Sequence, residues 1–228
     1  MNLLLETALQ LILVTTSDWQ SQTGQMVRFE RESLDLPFSE HGTAIPVVVG
    51  QKGMAWGIGL HPSQLELPLD RVKREGDRKA PAGIFRLGPI FVDYRFPFPF
   101  HMPVIEVNEW WEGVDDPSSI YYNQLVDTLT VEGKDWSSSE LMQREDELYR
   151  LGLVIHHNPV PAIPHYGSCI FMHSWRSESQ GTWGCTALAL DALKEVLKWL
   201  DDSKSPLLVQ LPLEEYQKVR EEWSLPNL

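Results

Sequence analysis

Between Gly167 and Leu200 the chain reads GSCIFMHSWRSESQGTWGCTALALDALKEVLKWL, and this stretch limits the possible fold more than any other. Cys169 to Met172 is a short apolar run of the kind that makes a buried strand. Arg176 to Gly181 is polar and reads as a loop. Beyond Cys185, Leu193, Val196, Leu197 and Leu200 recur at helical spacing on one face, which predicts a helix over Asp191–Leu200. A strand and a helix joined by so short a polar segment let the loop fold back. His173 and Cys185, at its two ends, can then meet.

That pairing has a chemical meaning. A free cysteine is mostly thiol near neutral pH, and only its thiolate attacks a carbonyl well, so a histidine within hydrogen-bond reach supplies the missing base. Gly184 removes a side chain where the backbone must turn, and it predicts that the N–H groups of Trp183, Gly184 and Cys185 are free to face a developing oxyanion. One such donor is worth about 3 kcal/mol of transition-state stabilisation.

Two further segments carry a resemblance. Thr182-Trp183-Gly184-Cys185-Thr186-Ala187 follows His173-Ser174, and upstream stands Glu75-Gly76-Asp77-Arg78-Lys79-Ala80-Pro81-Ala82-Gly83-Ile84-Phe85. In this order they resemble the L,D-transpeptidase catalytic domain, the YkuD-like family of peptidoglycan enzymes, with its Ser/Thr-His-Gly-Cys block and "GDGxTPxGxF" segment. Asp115-Asp116-Pro117, Tyr122-Asn123 and His157-Asn158 fall in similar places, so the likeness runs from about Leu11 to about Leu211. The resemblance implies that Cys185 carries the acyl group, that His173 is the base, and that the backbone carbonyl of Ser174 orients the imidazole. Trp183 stands where the family has His, Ala187 where it has Arg or Asn, and Ala80 where it has Thr, which marks a divergent branch. Gly184 completes the catalytic set, and Thr182, Trp183, Arg176, Tyr122 and Asn123 are the candidate substrate contacts.

Composition narrows the partners. Nineteen basic residues against 32 acidic ones give a formal net charge of −13, which opposes binding to nucleic acid and to anionic lipid. The densest basic run, Arg71, Lys73, Arg74, Arg78 and Lys79, has two readings: a patch that attracts the carboxylates of a peptide stem, or a solvated hairpin balanced by Glu75 and Asp77. A length of 228 residues suits one domain spanning 1–228, and nine tryptophans with 43% apolar residues exclude a disordered chain. No apolar run reaches the roughly 20 residues of a membrane span. The N-terminus, apolar at Leu3–Leu5 and Leu9–Val14 but interrupted by Glu6 and Gln10, lacks the basic start of a signal peptide. That implies a processed chain or an export signal of another form.

Only Cys169 and Cys185 are present, so there is no disulfide framework and no Cys-x-x-Cys metal pattern. On a strand Cys169 would share a face with His173 about 13 Å away, which makes it a core residue rather than a second nucleophile. His156 and His157 are adjacent and would point to opposite faces. None of His41, His61, His101, His156, His157 or His165 has metal-ligand spacing, and no metal or cofactor is expected.

The remaining pattern is mostly strands. Leu11–Thr16, Ile45–Val49, Leu153–His157 and Leu207–Leu211 read as strands, and Ile84–Tyr94 as two segments broken at Gly88-Pro89. Phe96-Pro97-Phe98-Pro99-Phe100 reads as an extended edge or groove wall, or as core filler. Ser137-x-x-Glu140 has the form of a capping box, predicting a short helix that stops at Gly152, and Pro212 fits the first turn of a last helix through Tyr216 and Val219. The expected fold is therefore mainly β with a few helices (α+β), which the resemblance makes a β-sandwich or barrel.

The expected function is that of a cysteine acyltransferase on peptidoglycan stem peptides, an L,D-transpeptidase of the periplasm or cell envelope. An L,D-carboxypeptidase or amidase would use the same Cys/His site. A catalytically inactive wall-binding module is the remaining alternative.

Overall fold

The computed structural model describes residues 5, 7–61, 71–93 and 99–228. In chain order the strands are β1 (Gln10–Thr16), β2 (Thr23–Glu30), β3 (Ser39–Glu40), β4 (Ile45–Val48), β5 (Met54–Trp56), β6 (Ala80–Asp93) and β7 (Val104–Val107). They continue with β8 (Trp111–Val114), β9 (Leu125–Asp127), β10 (Ser139–Leu141), β11 (Leu151–Ile155), β12 (Phe171–Ser174), β13 (Thr186–Leu188) and β14 (Leu207–Pro212). Helix α1 (Leu190–Trp199) lies between β13 and β14, and α2 (Leu213–Val219) follows β14.

The pairings run β1-β14-β6-β11-β12-β13-β4-β2, and β2 pairs back onto β1, so eight strands close into a barrel. Closure removes the exposed edges that an open sheet would present. β5 and β7 flank β6, and β8, β9 and β10 form a separate three-stranded sheet. Among the described residues the fold is thus mainly β with two α-helices.

Alternation along the strands separates two cores. Ile90, Val92, Leu153, Met172 and Leu188 belong to the main core, together with Leu193, Val196, Leu197 and Leu200 of the α1 region. Their neighbours on the opposite face, Phe91, Phe171 and Cys185, form a second cluster with Val107, Met142, Tyr149 and Cys169. The face of β6, β11 and β12 turned away from the main core is therefore covered rather than solvated.

Helix α1 forms where its apolar stripe predicts, with Asp191 in the first turn and Lys198 in the last, each favourable to the helix dipole. Pro212 stands at the N-cap of α2 rather than inside its first turn.

Three expectations need correction. Gly88-Pro89 does not break the strand: β6 runs unbroken for 14 residues. The ladder to β11 pairs Ile90 with Leu153 and Leu87 with Ile155, so two β6 residues oppose Val154 alone, and Pro89 sits in a bulge that asks no N–H of it. Ser137 caps no helix. Asp116 captures its N–H and hydroxyl at 2.8 and 2.7 Å, Glu112 takes the Ser139 hydroxyl at 2.5 Å, and Ser139–Leu141 becomes β10, paired with β8. Gly152 accordingly lies within β11. Cys169 is not on the strand either: its φ is +52° and β12 begins at Phe171. Expectations for Met1–Leu4, Glu6, Tyr94 and Phe96-Pro97-Phe98 fall outside the described residues.

Inside the barrel, fully buried Thr186 donates to Gln210 Oε1 at 2.6 Å, and Gln210 Nε2 donates to Pro81 O at 2.9 Å. Thr186→Val would keep the shape but leave Gln210 Oε1 without this donor in a dry interior. It should cost about 1–3 kcal/mol, read as a lower midpoint in urea unfolding.

Candidate active site

β12 and β13 pair in parallel, with Met172 opposite Thr186 and His173 opposite Ala187. One step back, this register sets Cys185 beside Phe171, and the Phe171 N–H donates to Cys185 Sγ at 3.3 Å. Phe171 and His173 share a strand face by the two-residue period. The imidazole on β12 and the thiol, one residue ahead of β13, therefore stand at positions roughly 8 Å apart between Cα atoms, by strand spacing and rise.

His173 is 5% exposed, and its Nδ1 donates to Ser174 O at 2.7 Å. A carbonyl only accepts, so Nδ1 carries the proton and Nε2 presents its lone pair, the tautomer a general base requires. Burial pushes the imidazole down to about 4, the Ser174 carbonyl pulls the other way, and nearby Arg144 lowers it further. It is neutral at neutral pH.

Cys185 is 7% exposed. Burial and then the negative charge of Glu140 push its thiol up to about 12, against the Phe171 N–H, Lys73 and Tyr149, which favour the thiolate. Its S–H donates to Cys169 O at 3.6 Å, while the His173 hydrogen bond is spent on Ser174. The resting pair is a neutral thiol beside a neutral imidazole, without a hydrogen bond between them.

The turn before Cys185 is pinned by Thr182. Its N–H donates to Val49 O and its carbonyl accepts from Gln51 N, each at 2.8 Å, which ties the turn to the end of β4. Its hydroxyl donates to Cys185 O at 2.6 Å and accepts the Gly184 N–H at 3.1 Å. The Gly184 N–H is therefore taken, which corrects the expectation of three free donors. Gly184 has φ +152°, and a Cβ there would press on Ile170 Cδ1 and Lys79 O at 3.3 Å. Trp183 is 72% exposed, with the Arg78 guanidinium 5.0 Å from its ring centre.

Arg176 is held by Asp146, which Arg144 also grips through two nitrogens at 2.8 Å. Tyr122 and Asn123 lie on the Cys169 side instead, with their polar groups engaged. The Tyr122 hydroxyl donates to Glu75 at 2.5 Å. Asn123 accepts from Cys169 N at 2.8 Å and donates to the carbonyls of His157 and Asn158. The basic run splits: Lys73 is only 3% exposed and bonds Asp77 at 2.6 Å, while Arg74 lies over Tyr166, so neither reading of one solvated hairpin or one open patch covers it.

Sequence reasoning missed Glu140, Tyr149 and Lys73 as neighbours of the Cys185 thiol, and Glu75 as a neighbour of Cys169. Glu75 and Lys73 border the Pro-Ala-Gly segment, a signal that was present. Glu140 and Tyr149 had none, because only the β8–β10 sheet and the segment entering β11 bring them here. His157 is a structural histidine, accepting from Ile58 N at 3.1 Å and bonding Tyr166 O at 2.8 Å. Among the described residues no three His, Cys, Asp or Glu side chains converge as a metal set, and no helix is long and apolar enough to cross a membrane.

No family model matches the chain, and no curated protein matches it. Among solved structures it is similar to the helical cell shape determining protein Pgp2 from Campylobacter jejuni, at 15% identity and a TM-score of 0.41. The match takes in 89% of this chain and 47% of Pgp2, so the chain spans about half the length of that protein.

The buried histidines set an acid limit. His173 and His61 are held down to about 4 and His157 to about 3, in each case first by burial, whereas an unfolded histidine titrates near 6.5. Between those values the unfolded chain binds more protons, so stability is full above about pH 6.5 and falls as the pH drops towards 4. The sites contribute at most about 3 kcal/mol each for His173 and His61 and about 5 kcal/mol for His157. Melting temperatures between about pH 7 and about pH 4 should fall steeply, and His173→Gln should flatten part of that slope.

Proposed function

We propose that the chain is a cysteine acyltransferase on peptidoglycan stem peptides, an L,D-transpeptidase of the cell envelope with the catalytic-domain fold of that family. The observation that carries the reading is the Nδ1 bond of His173 to Ser174 O, which leaves Nε2 unprotonated on the strand next to the thiol. Cys185 attacks the carbonyl preceding the terminal D-amino acid while its proton passes to Nε2. Breakdown of the tetrahedral adduct expels the D-amino acid, whose amine takes that proton, and leaves an acyl-enzyme. An amine of a neighbouring stem then attacks the thioester, restoring the thiol.

The burial of Cys185 and its bond to Cys169 O favour a second reading, a wall-binding module whose thiol is inert. Incubation with disaccharide-tetrapeptide, followed by mass spectrometry, decides between them. A cross-linked dimer identifies the transpeptidase, tripeptide with free D-amino acid the carboxypeptidase, and an unaltered substrate the inert module. Cys185→Ala should abolish the acyl adduct, Cys169→Ala should retain it, and His173→Ala should slow its formation by about 100-fold to 10,000-fold. Peptide mapping that puts the adduct on Cys169 would sink the mechanism.

A further inference from the structure

Tyr149 belongs to none of the motifs, yet three of the site's walls meet on it. Its ring stands edge-on to His173 at 5.1 Å, to Phe171 at 5.5 Å and to Phe91 at 5.9 Å between centroids. Phe171 is also the residue whose N–H meets the sulfur. Tyr149 packs in one cluster with Cys185, its hydroxyl donates to Glu140 Oε2, and the Arg144 guanidinium lies 4.9 Å from its ring centre. A buried phenol with one proton thus bonds a carboxylate while packing in the cluster that holds the thiol.

We infer that Tyr149, held by Glu140, is a positioning residue of the Cys185–His173 pair, its ring fixing the imidazole and its hydroxyl giving the thiolate a second donor. The inference rests on the acyl-transfer reading. When the S–H bond breaks and the proton joins His173 Nε2, the sulfur gains a negative charge. The Phe171 N–H and the Tyr149 O–H are then available to it. Tyr149 keeps its own proton throughout, because burial and the neighbouring charges hold the phenol well above its ordinary range. Its O–H points to Glu140 while the thiol is neutral and turns to sulfur when the thiolate forms.

The titratable and charged groups around the pair come from several elements. Glu140 lies on β10, Arg144, Asp146 and Tyr149 on the segment entering β11, and His173 on β12, with Arg176 just beyond it. Lys73 approaches from ahead of β6, and Cys169, which Asp115 and Glu75 also face, lies ahead of β12. Of these, Glu140 opposes the thiolate, whereas Lys73 and Tyr149 favour it.

Two neighbouring substitutions should therefore act in opposite directions, which a purely structural role would not produce. The measurement is the rate of Cys185 alkylation by iodoacetamide from about pH 6 to about pH 11, with peptide mapping to assign the label. Tyr149→Phe keeps the ring against His173 but loses the donor, and should move the profile up by about one pH unit. Glu140→Gln removes the opposing charge and should move it down by about as much. Shifts of the same sign, or none, overturn the inference even if the protein turns over stem peptides. If Tyr149→Phe fails to fold, by near-ultraviolet dichroism, the direction in Glu140→Gln decides alone. A wild-type Cys185 that resists the reagent throughout overturns the acyl-transfer reading and this inference with it.

Discussion

The parallel register of β12 on β13 is the constraint from which the candidate site follows. Because side chains alternate along a strand, setting Met172 against Thr186 turns both towards the main core and leaves Phe171, His173 and Cys185 on the other face. A slip of one residue would exchange the two sets. The register is held from inside, where Thr186 bonds Gln210 and Gln210 bonds Pro81, so a polar contact in the barrel interior fixes groups on its outer wall. It is held from the side as well, where Ala187 pairs with Val48 and Thr182 is tied to Val49.

The outer wall has room for this arrangement because of Gly152. It lies opposite His173 on one side and opposite Phe91 on the other, and a Cβ there would come within 2.2 Å of Phe91 Cζ. Phe91 therefore lies across the β11 backbone, and Tyr149 closes over Phe91, Phe171 and His173 in edge-on contacts. The aromatic cover excludes water, and the same exclusion shifts both titratable groups beneath it.

What could be read in advance was local. Helix α1 carries its apolar stripe in ten consecutive residues, β1 and β14 carry apolar runs at Leu11–Val14 and Leu207–Val209, and His173 and Cys185 are joined by one short loop. What could not be read depends on distant partners. Pro89 is tolerated only because β11 contributes a single residue, Val154, opposite it and Gly88. The Ser137 hydroxyl has an acceptor in Asp116, 21 residues upstream, which outcompetes the capping geometry its neighbours suggest. Cys169 leaves the strand because its N–H is claimed by Asn123, 46 residues away. Glu140 and Tyr149 reach the thiol through the same kind of long-range pairing.

Burial makes incompatible demands on the two central groups, and this bears on how the proposed reaction would proceed. A dry environment suits the base, since it keeps the imidazole unprotonated, but it penalises the thiolate that must attack. With His173 held near 4 and Cys185 near 12, moving the proton from sulfur to nitrogen in the resting state is uphill by roughly 10 kcal/mol before the attraction between the resulting ions is counted. A preformed thiolate–imidazolium pair is thus not the resting state of this site. The proton would leave as the carbon–sulfur bond forms, so that charge passes from sulfur to the carbonyl oxygen rather than resting on sulfur. Part of the same barrier would fall if a bound stem displaced the Cys169 carbonyl from the thiol, freeing the S–H to turn towards Nε2.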